Sequence, residues 1–441
     1  MADVYYFISD LHVGGDEQLE QVDFLDELLA FLDGLEERDE DAELIINGDA
    51  FGLWEFTEVE GPEKFDALLE RYPELFEQFE RTGREVEITL IPGNHDYELA
   101  AYPEYVERLA EYNVTLEQTV SIERSVGESL VHVEHGMQED PNNRIPDFGN
   151  PYANPPGYFV NKQITSRAGR LSGRGKYNWL KDIQAVTPMT EIPDWLLSNY
   201  FYREMSAWLR LSVVPFLLLF NLGVLYVAIF ALDWFDVWSL PLALVESGLG
   251  FFGPPGRLVE VVLAGNLVVI VLLLAIAVPL SVFVRDARKT LRRFGIVRSP
   301  ADREPVEKYL DRARDVFAAE PRVCVYVYGH THRPAATDVD GRLVVNTGTW
   351  LKRLHRVDPL LGVLPPVYYA WYQLNYFRLS AADDGGIVVE YDVIEKSDPG
   401  DETILQRLLT RSPRRRGELS DRTVVTRPRD RESDRYESEA A

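Results

Sequence analysis

Two histidines one residue apart, His330 and His332, follow an apolar run at 323–328 in the stretch VYGHTH. Placed just past a buried strand, their rings can turn toward one pocket and offer imidazole nitrogen to a metal ion. Alone the pair says little; its meaning depends on whether the earlier chain supplies further ligands. Four clusters do so in order: Asp10-x-His12, Gly48-Asp49, Gly93-Asn94-His95-Asp96 and His135-Gly136. Six of the seven histidines lie in or next to these five clusters, and only His355, expected at the surface, lies elsewhere. A pair of divalent ions needs several nitrogen and oxygen ligands and one bridging carboxylate, and this inventory contains both. Glycines beside Asp49, Asn94, His135 and His330 permit sharp turns and close backbone approach. His132 is expected to be a packed or hydrogen-bonded histidine and not a ligand.

The elements that must position these residues are legible as short apolar runs. Strands are expected at 4–9, 44–47, 86–91, 130–134 and 323–328, each ending at one of the clusters. Between them, Leu25, Leu28, Leu29 and Leu32 recur at helical spacing within 17–35, and helices are also expected at 62–81, 103–112 and 305–318. Further strands are expected at 343–346 and 387–394. Strands alternating with helices, with polar residues where strands end, imply an α/β sheet whose site lies at the strand ends. The stretch 141–156, rich in Asn, Pro and Gly, is loop. From Ser397 onward Arg, Asp, Glu, Ser and Pro dominate, the composition of a mostly disordered tail. No internal repeat is present.

The 441 residues give length for two or three domains. A net charge of −27 argues against a nucleic-acid partner. With 37 Arg, 8 Lys and 72 acidic residues, the surface suits a protein that stays hydrated in concentrated salt. Cys324, the single cysteine, cannot form an intramolecular disulfide and is read as core packing. The start MADVYYFISDLH has neither a basic nor a long apolar region, so no signal peptide is expected.

Between His135 and His330 the pattern changes. Residues 161–181 carry six cations, among them Arg167, Arg170 and Arg174, and no Asp or Glu. Residues 192–210 are amphipathic and aromatic, suited to a membrane interface. Residues 211–232 and 261–284 are uncharged throughout, and each exceeds the roughly 20 residues that cross a bilayer core. Acidic residues lie between these spans and Arg and Lys outside them, so both flanks are expected in the cytoplasm and the connecting loop outside. Ligands before and after the spans must meet in one compartment, which an even number of crossings allows.

The five clusters in this order, over residues 5–142 and 323–349, resemble the calcineurin-like metallophosphoesterases. The resemblance implies an α/β sandwich of two packed sheets flanked by helices, here with an inserted two-helix transmembrane hairpin. It implies that Asp10, His12, Asp49 and His332 hold one divalent metal ion, and that Asp49, as the bridge, with Asn94, His135 and His330 holds a second. Manganese is expected, with iron or zinc as alternatives. Asn94 would also touch substrate. His95 would protonate the leaving oxygen, with Asp96 orienting it, and the nucleophile would be a water activated by the cations. A weaker resemblance, carried by Gly48-Asp49-Ala50-Phe51-Gly52-Leu53-Trp54 and the long insert, is to the UDP-2,3-diacylglucosamine pyrophosphohydrolase branch, although that branch typically has Arg where His95 stands.

The expected division is 1–160 for the first part of the phosphoesterase domain and 161–210 for a basic, then amphipathic cap. The spans follow at 211–284, the second part of the domain at 285–396, and the tail at 397–441. The expected activity is hydrolysis of a phosphate ester or pyrophosphate bond on a lipid-linked or nucleotide-linked substrate, with Arg167, Arg170 and Arg174 on its anionic head group. Other readings are a generic phosphodiesterase or protein phosphatase, and a non-catalytic membrane scaffold that keeps the fold. Oligomeric state is not legible.

Overall fold

The structure is a computed structural model that describes residues 2–38, 40–187, 191–211, 220–293, 305–359, 364–383, 385–410 and 419–425. In chain order the strands begin with β1 (Val4–Ile8), β2 (Ala42–Asn47), β3 (Glu87–Ile91), β4 (Val114–Leu116), β5 (Ser121–Val126) and β6 (Ser129–Glu134). Far downstream come β7 (Val323–Tyr328), β8 (Ala335–Val339), β9 (Arg342–Asn346), β10 (Arg353–Val357) and β11 (Val367–Trp371). The last three are β12 (Leu374–Ala381), β13 (Ile387–Ile394) and β14 (Arg422–Val425).

They form a seven-stranded mixed sheet in the order β14-β13-β12-β1-β2-β3-β4, a five-stranded mixed sheet β5-β6-β7-β9-β8, and a hairpin β10-β11. β1 to β4 run parallel, as do β6, β7 and β9. Alternation along β1 explains why both its faces are apolar. Tyr5 and Phe7 pack with Val131, Val133, Val325 and Val327 of the other sheet, while Val4, Tyr6 and Ile8 face helices. Those helices, among them Leu25–Glu36 and Pro73–Thr82, contribute Leu28, Leu32, Leu75 and Phe76 to the outer layer. On the far side, Pro305–Ala319 covers the second sheet through Tyr309, Ala313 and Phe317. Two sheets packed face to face with helices outside make an α/β fold. Cys324 lies fully buried on β7.

Several elements differ from the sequence expectation. The expected helix at 62–81 is two, Glu63–Arg71 and Pro73–Thr82, because Pro73 restricts the residue before it and starts a new helix. β12, which no expectation placed, is central: it pairs antiparallel with β1 on one side and β13 on the other. In the region expected to be tail, Ile404–Leu409 is a helix capped by Thr403, and Arg422–Val425 adds β14 to the edge of the large sheet.

The apolar region also differs. Phe220–Trp234, Leu240–Phe251 and the 40-residue Pro254–Arg293 are helices, so residues expected in a connecting loop are largely helical. Among the described residues one helix, Pro254–Asp286, is long and apolar enough to cross a membrane, and Leu222–Trp234 is a shorter apolar one. Of the first expected span, residues 212–219 lie outside those described. Leu272, Leu274, Ile276, Val278 and Leu280 of the long helix are exposed, unlike the residues of a core helix.

Candidate metal centre

All five polar clusters sit just beyond the C-terminal ends of β1, β2, β3, β6 and β7, where parallel pairing brings the ends of neighbouring strands together. The loops are stitched by backbone bonds: Asp10 N donates to Gly48 O at 3.1 Å, His12 N to Asp49 O at 2.9 Å, and Gly329 N to His135 O at 2.9 Å. Asp10, His12, Asp49, His330 and His332 all adopt positive φ, between 49° and 65°. Such backbone is costly for residues bearing Cβ, and it persists where surrounding structure enforces a functional orientation. Gly48, at φ 80°, is required for another reason: a Cβ there would collide with the His135 ring.

The side chains gather into two groups that meet at Asp49. In the first, His332 Nε2 lies 3.1 Å from Asp10 Oδ1 and 3.2 Å from His12 Nε2. In the second, Asp49, His135 and His330 bring their ligand atoms within 4.8 Å of one another. Asp49 Oδ2 is 3.7 Å from His12 Nε2 and 3.3 Å from His135 Nε2, so this one oxygen faces both groups. Asn94 Oδ1 lies 3.3 Å from His135 Nε2. All seven residues expected as ligands therefore converge.

This set fits divalent cations. The donors are imidazole nitrogen, carboxylate oxygen and one amide oxygen. Asp10 Oδ1 is buried and makes no well-formed hydrogen bond among the described residues, its polar neighbour being His332 Nε2 at 3.1 Å, and a cation held between the two would satisfy both. Burial, reinforced by the neighbouring His95, pushes the His12 imidazole down to about 3, which leaves it neutral with a lone pair to donate. Burial alone would raise Asp49, but His135 and His95 hold it well below the usual carboxylate range, so it stays ionised. His135 Nδ1 is bonded to Asn47 O at 2.9 Å, which fixes the ring and turns Nε2 into the centre.

His95 has a different environment. Its Nδ1 lies 2.9 Å from Glu55 Oε1, and its ring packs on Trp54 at 4.5 Å between centroids. Burial opposes the charge on this ring, yet the Glu55 and Asp49 carboxylates raise it to about 9. Asp96, expected to orient His95, does not do so. Its carboxylate accepts the backbone N–H groups of Gly93 at 2.6 Å, Phe51 at 3.2 Å and Asp49 at 3.3 Å, tying the β2 and β3 loops together. Burial and the Asp49 charge push Asp96 up to about 7. The orienting role falls to Glu55, which sequence reasoning missed; Leu53–Glu55 is one short turn with no periodicity to mark it. Asp140, 3.3 Å from His330 Nε2, was missed as well.

The basic stretch is mostly occupied elsewhere. Arg170 bonds Thr57 Oγ1 at 2.6 Å and pairs with Glu58 and Glu17, so it is not free for a head group. Lys162 pairs with Glu60 and Lys181 with Asp23. These cations dock the insert onto an acidic surface. Arg167 and Arg174 are exposed and have no ion-pair partner among the described residues. His132 stacks on Tyr326 and lies 3.2 Å from Glu134, as expected for a packed histidine. His355, expected at the surface, is half-buried on β10.

Comparison with known proteins agrees with the chemistry of this centre. The family model described as calcineurin-like phosphoesterase matches residues 4–222. No curated relative matches the chain. Among solved structures, a predicted phosphoesterase from Streptococcus pneumoniae is similar at 11% identity, covering 91% of this chain and 95% of its own, with a TM-score of 0.27. Vacuolar protein sorting 29 from Cryptosporidium parvum is similar at 12% identity, covering 90% and 99%, with a TM-score of 0.23. Likenesses this distant carry no argument, and the assignment rests on the family match. Through residues 4–222 the chain belongs to the calcineurin-like phosphoesterase family, and it is a metal-dependent phosphoester hydrolase.

Proposed function

We propose that the protein is a membrane-anchored hydrolase with two divalent metal ions, manganese first among them, acting on a phosphate ester or pyrophosphate bond of a lipid-linked or nucleotide-linked substrate. The observation that carries the dinuclear reading is the single oxygen, Asp49 Oδ2, facing His12 on one side and His135 on the other. Asp10, His12, Asp49 and His332 would hold one ion, and Asp49, Asn94, His135 and His330 the other. Bound there, the ions supply Lewis acidity that activates water near neutral pH and offsets phosphoryl charge. His95, kept protonated by Glu55, gives its proton to the departing oxygen, and Asn94 borders the phosphoryl group.

Anchoring rests on the exposed apolar helix Pro254–Asp286 together with Phe220–Trp234. These two approach closely: a Cβ on Gly223 would stand 2.9 Å from Asn266 Cβ, the small-residue contact favoured between helices in a bilayer. Two crossings keep His135 and His330 in one compartment, and the cationic flanks put that compartment in the cytoplasm. In this reading 1–160 and 285–396 form one catalytic unit and 161–210 a cap over it.

The test is full-length protein in detergent, loaded with manganese and offered bis(4-nitrophenyl) phosphate, phospholipids and nucleotide-diphosphate lipids. Turnover with two metal ions per chain supports the reading. Turnover with one ion per chain sinks the dinuclear part, and no turnover of any of these substrates sinks the function.

A further inference from the structure

A cavity of about 420 Å³ opens beside the metal centre. Its inner wall includes His332 and Thr349, and its outer walls carry Arg333, Lys352, Arg353 and Trp371. Thr349 Oγ1 donates to the Asp10 carbonyl at 2.7 Å, so the cavity and the ligand loop share a wall. Among the described residues none of the side chains lining it is acidic, in a chain with 72 Asp and Glu. A carboxylate-free cationic pocket is the exception on such a protein.

Its cations are not equivalent. Lys352 is already neutralised, 3.0 Å from Asp182 and 3.1 Å from Asp23. Arg353 has no carboxylate partner among the described residues: its guanidinium lies 4.8 Å from the Trp371 ring centroid and bonds the neutral amide oxygen of Gln373. Arg333, the residue after the ligand His332, likewise has no ion-pair partner among the described residues and is exposed. Burial, and after it the nearby Arg333 charge, push the Arg353 guanidinium down to about 10, as befits a cation drawn from water with no carboxylate beside it. Planar guanidinium groups match the oxygen geometry of phosphate, and stacking on Trp371 fixes the fork in place before a ligand arrives.

We infer that this cavity binds a second phosphate group carried by the substrate, with Arg333 and Arg353 as its contacts. The inference rests on the hydrolase reading and narrows it: the substrate bears a diphosphate, or two phosphate groups a short distance apart, and the bond cut lies at the metal centre while the second phosphate lies beyond His332.

Binding can be measured apart from hydrolysis. Metal-free full-length protein in detergent is titrated calorimetrically with inorganic pyrophosphate. The wild type should bind at one site, Arg353→Gln and Arg333→Gln should each weaken binding about tenfold or more, and Asp49→Asn should keep it within about twofold. The side chain of Arg333 is exposed, so its variant keeps the test open should Arg353→Gln disturb the Trp371 stack. No binding by the wild type, or equal binding by the wild type and both arginine variants, overturns the inference. In parallel, the manganese-loaded wild type should hydrolyse bis(4-nitrophenyl) phosphate, which lacks a second phosphate. Loss of this rate in the wild type itself would count against the hydrolase reading, while the titration still decides the pocket.

Discussion

The Glu55 carboxylate stands 2.9 Å from Nδ1 of His95, and the same Oε1 also accepts Asn161 Nδ2 at 3.0 Å and Gln184 Nε2 at 2.8 Å from the inserted segment. One oxygen thus joins the proposed proton donor to the cap above it. Glu55 is 1% exposed, and against the burial that would raise it, His95 holds it ionised.

Replacing Glu55 by Gln keeps the shape but removes the charge that keeps His95 protonated. Turnover should fall by about 10- to 100-fold, and the loss should be larger for an alkyl leaving group than for 4-nitrophenolate, which departs without a proton. Comparing kcat on the two esters checks this. Equal losses would show that His95 does not protonate the leaving oxygen.

Asp49→Asn removes the carboxylate that faces both ligand groups. Bound metal, measured by mass spectrometry on desalted protein, should fall from two ions per chain to one or none. Turnover should drop on the order of 10³-fold. A variant that keeps both ions would show that Asp49 does not bridge.

Glu134, 2% exposed, is held by Arg312 at 2.9 Å and by the Tyr326 hydroxyl at 2.5 Å. Burial alone would raise it, but His132, Arg312 and Tyr326 bring it down to about 2. A depressed carboxylate contributes stability above its unfolded pKa of about 4.3, and that stability is lost as pH falls toward 2. Arg312→Met should cost about 2 kcal/mol at pH 7, since it strands a buried charge whose partner is partly exposed. It should also flatten the fall in melting temperature between pH 5 and 3. An unchanged acid limb would show that the pair does not govern it.

Topology can be read with a membrane-impermeant maleimide, because the native Cys324 is buried and gives little background. A cysteine at the exposed Ser247 should label in intact cells, and one at the exposed Glu107 only after permeabilisation. The reverse pattern would invert the proposed orientation.

The convergence of the five polar loops was legible in the sequence because each is a polar break after a short apolar run. Glu55 was not, because its role comes from Asn161, Gln184 and His95 arriving from three other parts of the chain. β12 escaped because Asn375 and Arg378 interrupt its apolar run, although Phe377 and Leu379 are fully buried. The apolar helix begins at Pro254, ahead of the uncharged stretch, since Arg257 and Glu260 extend it as ordinary helix. At 40 residues it is about 60 Å long, roughly twice a bilayer core.

The order of ligands along the chain also shapes how the protein is made. When His135 has left the ribosome, five of the seven proposed ligands exist, but β6 lacks its parallel neighbour, because β7 lies almost 200 residues further on. Until that strand slots between β6 and β9, His330 and His332 are not in place, and the proposed ligand set would stay open. On the proposed ligand set, synthesis itself would act as a safety catch: a chain cut short before His332 would carry an open set of ligands, and metal capture would report that the chain has been made through the loop after β7.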